Sequence, residues 1–168
     1  MHPDLLIAKE LVYDKCGHEF TTLLKESESA DYGACSFKLN GLAVKFRSAK
    51  ITPTKIGQFV TLWKRKGEGP IRPFAASDPI DLFIISTRKG NRLGQFIFPN
   101  SVLADQGIVS TKKMDGKRAM RVYPTWDITT SKQAQKTQKW QLKYFLEIPP
   151  KKSVNLALAK MLLNSPTK

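Results

Sequence analysis

The residues best equipped for chemistry in this chain are cations, and they come in two blocks. Between residues 38 and 66 there are eight Lys or Arg and no Asp or Glu; between 112 and 143 there are nine, against only Asp115 and Asp127. In the second block Lys132, Lys136, Lys139 and Lys143 recur at i, i+4, i+7 and i+11, which stacks them on one stripe of a helix. Arg118 and Arg121 are expected to share one face of a strand, where forked guanidinium groups suit phosphate. Apolar residues interrupt both blocks regularly, so the cations belong to faces of folded elements and not to a basic tail. With a net charge of +14 over 168 residues, the partner this pattern points to first is a polyanion, and nucleic acid in particular, DNA ahead of RNA.

Other chemistry has less to build on. Of the two histidines, His2 sits at the terminus and His18 follows a helix stop, so a Ser-His-Asp or Cys-His centre is not expected. Cys16 and Cys35 lack zinc spacing and read as reduced, buried thiols. Gly67, Gly69 and Pro70 form a turn, not a phosphate loop, and no cofactor motif appears. The longest apolar runs, 82–85 and 96–98, are strand-sized, and the first residues lack a basic leader. The expectation is a cytoplasmic protein with no membrane partner and no cofactor.

The elements that must carry the cations can be read in outline. A single domain is expected over 1–168, with a helical N-terminal segment (1–30), a sheet-rich core (32–124) and C-terminal helices (131–164). Pro3 and Asp4 open a helix whose apolar face is Leu5, Ala8, Leu11 and Val12; 20–26 reads as a further helical turn. Asn40-Gly41 is a strong hairpin signal. Pairing 39 with 42 and 37 with 44 puts Phe37, Leu39, Leu42, Val44 and Phe46 on one face. Lys38, Lys45 and Arg47 then form a wet, basic opposite face, with outward side chains about 7 Å apart, near the phosphate spacing of one strand. Lys50 and Lys55 follow around Pro53, and a strand over 56–63 runs into Lys64 and Arg65. A second hairpin spans 81–98, a short helix 101–106, strands 108–110 and 118–123, a helix 131–145 and a last helix 154–163. The fold class is α+β, a mostly antiparallel mixed sheet flanked by helices. Tyr123 and Trp126, in a Pro-containing loop, are the best candidates to stack on bases; Trp63 and Trp140 read first as core.

Several segments resemble the MepB family. They are Tyr32-Gly33-Ala34-Cys35-Ser36-Phe37, the run from Ala49 through Pro53, Gly57-Gln58-Phe59 and Trp63 to Arg65, Pro73-Phe74, Gly94-Gln95-Phe96-Ile97-Phe98-Pro99, Gly116-Lys117-Arg118, Arg121-Val122-Tyr123-Pro124-Thr125-Trp126-Asp127, and Lys136-Thr137-Gln138-Lys139-Trp140-Gln141. The resemblance implies a protein encoded beside a multidrug efflux pump and its regulator, and by distant analogy a restriction-endonuclease-like PD-(D/E)xK fold. Such a site holds Mg²⁺ on two acidic groups beside a lysine. Under that analogy Asp81 is the metal ligand, Gln95 stands where the second acid would be, and Ile97 occupies the lysine position, so the site looks degenerate. The expected function is binding of nucleic acid through backbone contacts. The alternatives are an Mg²⁺-dependent nuclease with a displaced lysine, and a nucleotide or small-anion ligand near Arg118, Arg121 and Tyr123.

Overall fold

The computed structural model describes residues 1–164. Helix α1 (Pro3–Ala8) has proline in its first turn and is capped by the His2 side chain, whose Nδ1 accepts from the Asp4 amide. It widens directly into a π-helical turn, Lys9–Tyr13. Leu5, Ala8, Val12 and Tyr13 face the core and are buried. The segment expected to prolong this helix is instead a strand, β1 (Phe20–Lys25), paired antiparallel with β2 (Cys35–Leu39). Phe20 stacks on Phe37 at 4.3 Å, a tertiary contact that outweighs weak helical periodicity. Thr22 has φ +58°, and the register slips between Thr21 and Leu24; this bulge blunts an edge strand that would otherwise template pairing.

The hairpin from β2 to β3 (Leu42–Ser48) has the expected register, with Leu39 opposite Leu42 and Phe37 opposite Val44. Asn40 and Gly41 both adopt positive φ, as a two-residue type I′ turn requires. The chain continues through β4 (Lys50–Ile51), β5 (Gln58–Thr61), β6 (Trp63–Lys64), β7 (Arg72–Pro73), β8 (Leu82–Lys89), β9 (Arg92–Pro99), α2 (Asn100–Asp105), β10 (Ala119–Val122), α3 (Lys132–Gln141), β11 (Phe145–Ile148) and α4 (Leu156–Leu163). The main sheet runs β1-β2-β3-β8-β9-β11; β3 and β8 are parallel and the other pairs antiparallel. The fold is therefore α+β with a mixed, mostly antiparallel sheet. The helix expected through residue 145 stops at Gln141, tightens into a 3₁₀ turn (Leu142–Tyr144) and becomes β11, where Phe145 pairs with Phe96. The strand expected over 108–110 is reduced to one bridge, Ala75 with Ser110.

Alternation along β8 and β9 divides the core. Leu82, Ile84 and Ile97 face α1 and α4, while Phe83, Ile85, Phe96 and Phe98 face a second layer containing Val60, Leu62, Leu103, Met120 and Val122. That layer includes the small sheet β10-β5-β4 and the ribbon β6-β7. It covers β8 and β9 but leaves the same sheet face open over β1 to β3, where Leu24 is 60% exposed. No helix among the described residues is long and apolar enough to cross a membrane.

Candidate functional site

Between β10 and α3 lies a cleft of about 480 Å³. Lys55, Lys117 and Arg121 contribute charge to its lining, Phe59, Tyr123 and Trp140 contribute rings, and no Asp or Glu among the described residues lines it. Its walls are held by side-chain amides. Gln141, fully buried, accepts from the Tyr123 amide at 2.9 Å and donates to the Arg121 carbonyl at 3.0 Å, and so takes the place of a neighbouring strand for two backbone groups on the outer edge of β10. Gln138 Nε2 donates to the carbonyls of Tyr123, Pro124 and Asp127, and its Oε1 accepts from Thr129. Two glutamines one helical turn apart thereby fix α3 against the loop 123–129. The Ser131 hydroxyl caps α3 by accepting from the Ala134 amide.

Arg121 is positioned before any ligand arrives. Its Nη1 donates to Thr52 Oγ1 and to the carbonyls of Ile56 and Gly57, and its guanidinium lies 5.9 Å from the Phe59 ring centre. Neither Nε nor Nη2 has a partner in these contacts, so both can donate to an oxyanion. Gly57 has φ +86°, and a Cβ there would fall 2.7 Å from the Tyr123 ring; the absence of a side chain lets Tyr123 pack onto the loop. The same bare backbone carries the Gly57 carbonyl that holds Arg121.

The remaining expected site residues are dispersed. Lys132, Lys136, Lys139 and Lys143 are exposed, as expected, but the helix turns residues 133, 134, 137, 140 and 141 into the cleft, so the stripe lies beside the cleft and not inside it. Arg118 and Arg121 do not share a face: Arg118 precedes β10 and reaches the Ile71 carbonyl, because residues three apart on a strand point oppositely. Trp126 is not a free stacking platform, since the Arg92 guanidinium covers its ring at 5.0 Å and the ring makes a T-shaped contact with Phe145. Lys50 lies over the Tyr32 ring at 4.7 Å.

Four further cations have carboxylate partners. Arg47, expected to be wet, is 1% exposed and bonds Glu26 and its neighbour's carbonyl at Phe46. Lys45 also bonds Glu26, Lys64 bonds Asp78, and Arg65 pairs with Glu28 while covering Trp63. Lys38 is exposed, without a partner among the described residues, and lines a separate groove with Lys45 and Lys64.

Asp81 and Gln95 do not converge. The Asp81 carboxylate accepts from the Ala43 amide and its own amide donates to the Ala43 carbonyl, stitching the start of β8 to β3. Gln95 is fully buried on the other face, accepting from the Tyr13 hydroxyl at 2.6 Å and donating to Ser86 at 2.8 Å. Leu82 pairs with Pro99, so Gln95 stands about 13 Å further along the strand. One metal cannot bridge the two. No cluster of three His, Cys, Asp or Glu side chains forms among the described residues. Burial raises the Cys16 thiol and lowers the His18 imidazole, the reverse of what a thiolate–imidazolium pair needs.

Sequence reasoning did not include Lys117, Phe59 or Gln141 among the binding residues. The triplet Gly116-Lys117-Arg118 carried a signal for the first; the other two acquire their roles only when β5, β10 and α3 meet.

Comparison with known proteins agrees with the resemblance noted above. The family model described as MepB-like matches residues 26–147. A solved structure titled "Crystal Structure of MepB" is 34% identical and superposes with a TM-score of 0.77, covering 90% of this chain and 100% of its own. No curated protein matches. A family match across most of the chain, together with this level of identity over a shared fold, means that the chain belongs to the MepB-like family.

Proposed function

We propose that this protein binds nucleic acid by its phosphate backbone in the β10–α3 cleft, with the lysine stripe of α3 extending the contact beyond the cleft. The observation that carries this reading is the collection of Lys55, Lys117 and Arg121 around one concavity with no described acid in its lining. Binding is driven by charge neutralisation and counterion release, and so weakens steeply with salt. The rings of Phe59, Tyr123 and Trp140 favour unpaired bases over a duplex. DNA as the natural partner and a cytoplasmic setting belong to the same proposal.

The test is fluorescence anisotropy with labelled single- and double-stranded DNA and RNA over a salt series, with and without Mg²⁺, followed by a gel of the same samples. Salt-steep binding of intact oligonucleotide supports the proposal. Absence of binding at low salt refutes it. Mg²⁺-dependent shortening would mean a nuclease whose ligands are not Asp81 and Gln95 acting together. A second reading is favoured by the size of the cleft: about 480 Å³ falls in the range of small-ligand pockets. If the ligand is a mononucleotide, it should raise Tm as much as an oligonucleotide does.

A further inference from the structure

The second cleft has different chemistry. It lies on the open part of the main sheet, over β1 to β3, and has a volume of about 370 Å³, within the range of small-ligand pockets. Leu24 and Ala43 belong to the uncovered sheet face; Phe74, Pro79 and Ile80, from the segment between β7 and β8, wall it. Three lysines rim this apolar surface, but they are not equivalent. Lys45 is 2.7 Å from Glu26, and Lys64 is 2.6 Å from Asp78. The second Asp78 oxygen accepts from the Ala75 amide, so that carboxylate is satisfied. Lys38 alone has no carboxylate partner among the described residues, and it stands directly across from Ala43 on the floor. Glu26 is shared between Lys45 and Arg47, so the groove is net positive, and Lys38 is its one ammonium with no carboxylate partner among the described residues, standing above an apolar surface.

We propose that this groove binds an apolar monoanion, a free medium-chain carboxylate, with its chain on Leu24, Ala43, Phe74 and Ile80 and its carboxylate on Lys38. Charge complementarity selects the occupant. A nucleic-acid backbone brings many charges and little apolar surface, whereas a neutral hydrocarbon leaves Lys38 unused. Aliphatic contact supplies most of the affinity and the ammonium fixes orientation. The site is distinct from the β10–α3 cleft and does not depend on what occupies that cleft.

The experiment uses the full chain with the fluorescent probe 1-anilinonaphthalene-8-sulfonate, competed by decanoate, decanol and decylammonium, with Tm measured in parallel. Decanoate should displace the probe and raise Tm, and the neutral and cationic analogues should compete about ten-fold more weakly. Lys38→Met keeps an unbranched stem without the charge; it should lose that preference while decanol competition is unchanged. Ala43→Phe fills the floor and should abolish displacement; should that variant fail to fold, Lys38→Met carries the test. Equal competition by decanol, undiminished decanoate preference in Lys38→Met, or no competition at all would each overturn the proposal. So would Lys38-dependent co-sedimentation with phosphatidylglycerol vesicles in the absence of any effect of free decanoate, because the occupant would then be a lipid surface.

Discussion

The two clefts differ less in how many cations they hold than in what those cations are bonded to. At the β10–α3 cleft, Lys55, Lys117 and Arg121 have no acidic partner among the described residues, and Arg121 is held by neutral oxygens. At the sheet groove, Lys45 shares Glu26 with Arg47, Lys64 is tied to Asp78, and of the three lysines Lys38 has no carboxylate partner among the described residues. A count of lining cations would rank the two equally, at three each. Counting the lining cations that lack a carboxylate partner among the described residues separates a surface suited to a polyanion from one suited to a single anionic group. The difference comes from the neighbouring acids: Glu26 and Asp78 serve the groove, and among the described residues no Asp or Glu lines the cleft.

The comparison can be broken most directly by charge reversal. Changing Lys55, Lys117 and Arg121 together to Glu should weaken oligonucleotide binding by about 100-fold at low salt, with decanoate competition at the groove unaltered. The same change at Lys132, Lys136 and Lys139 should cost about ten-fold, because the stripe only flanks the cleft. A larger loss from the stripe variant, measured by anisotropy, would reverse the assignment.

Next in size is Gln141→Leu, which strands the Tyr123 amide and Arg121 carbonyl without partners; about 2–4 kcal/mol of stability should be lost in denaturant titration. Gly57→Ala should cost about 1–2 kcal/mol. Because its new methyl group meets the Tyr123 ring, it should also impair oligonucleotide binding while sparing the groove. Retention of full binding by the Gly57 variant would show that the loop 52–57 does not set the cleft.

The smallest effect concerns Asp127, in the loop clasped by Gln138. Burial raises its carboxyl above the usual range, an effect that Lys89 partly offsets, and Oδ2 is buried with no hydrogen-bond partner among the described residues. A folded-state pKa above the unfolded one gives stability that is complete at low pH and is lost as pH rises through the folded value. Asp127→Asn should therefore raise Tm slightly near neutrality, and the gap between variant and parent should close in acid. A gap that widened in acid would contradict the sign.

How much of this was legible in the sequence follows from how local each cause is. The Asn40-Gly41 turn, its hairpin register, and the start of α3 with its lysine stripe depend on neighbours within a few residues, and the structure has all of them. Arg47 is different. Alternation correctly put it opposite Phe46, but its partner Glu26 is 21 positions away, and that contact, together with packing near Phe74, turns a wet cation into a buried one. Likewise Phe145 lies in phase with the helix before it, and only pairing with β9 makes it the start of a strand. Asp81 and Gln95 lie on the expected hairpin; the separation that parts them is a matter of register and face, which a motif does not state. The cleft was half visible, through Arg121 and Tyr123, while its floor and clamps required three distant segments to come together.

The parallel join between β3 and β8 has a kinetic consequence. The two hairpins it connects are local in sequence, but the join closes a loop of more than thirty residues, and long-range closure is the slow part of assembling such topologies. That loop carries Lys55 and Phe59 of one cleft and Phe74, Pro79 and Ile80 of the other. Neither cleft has its full lining until it closes. In refolding from denaturant, sheet signal should therefore appear before binding competence, and stopped-flow anisotropy and probe fluorescence should recover together, in the final phase, at a rate set by this one closure.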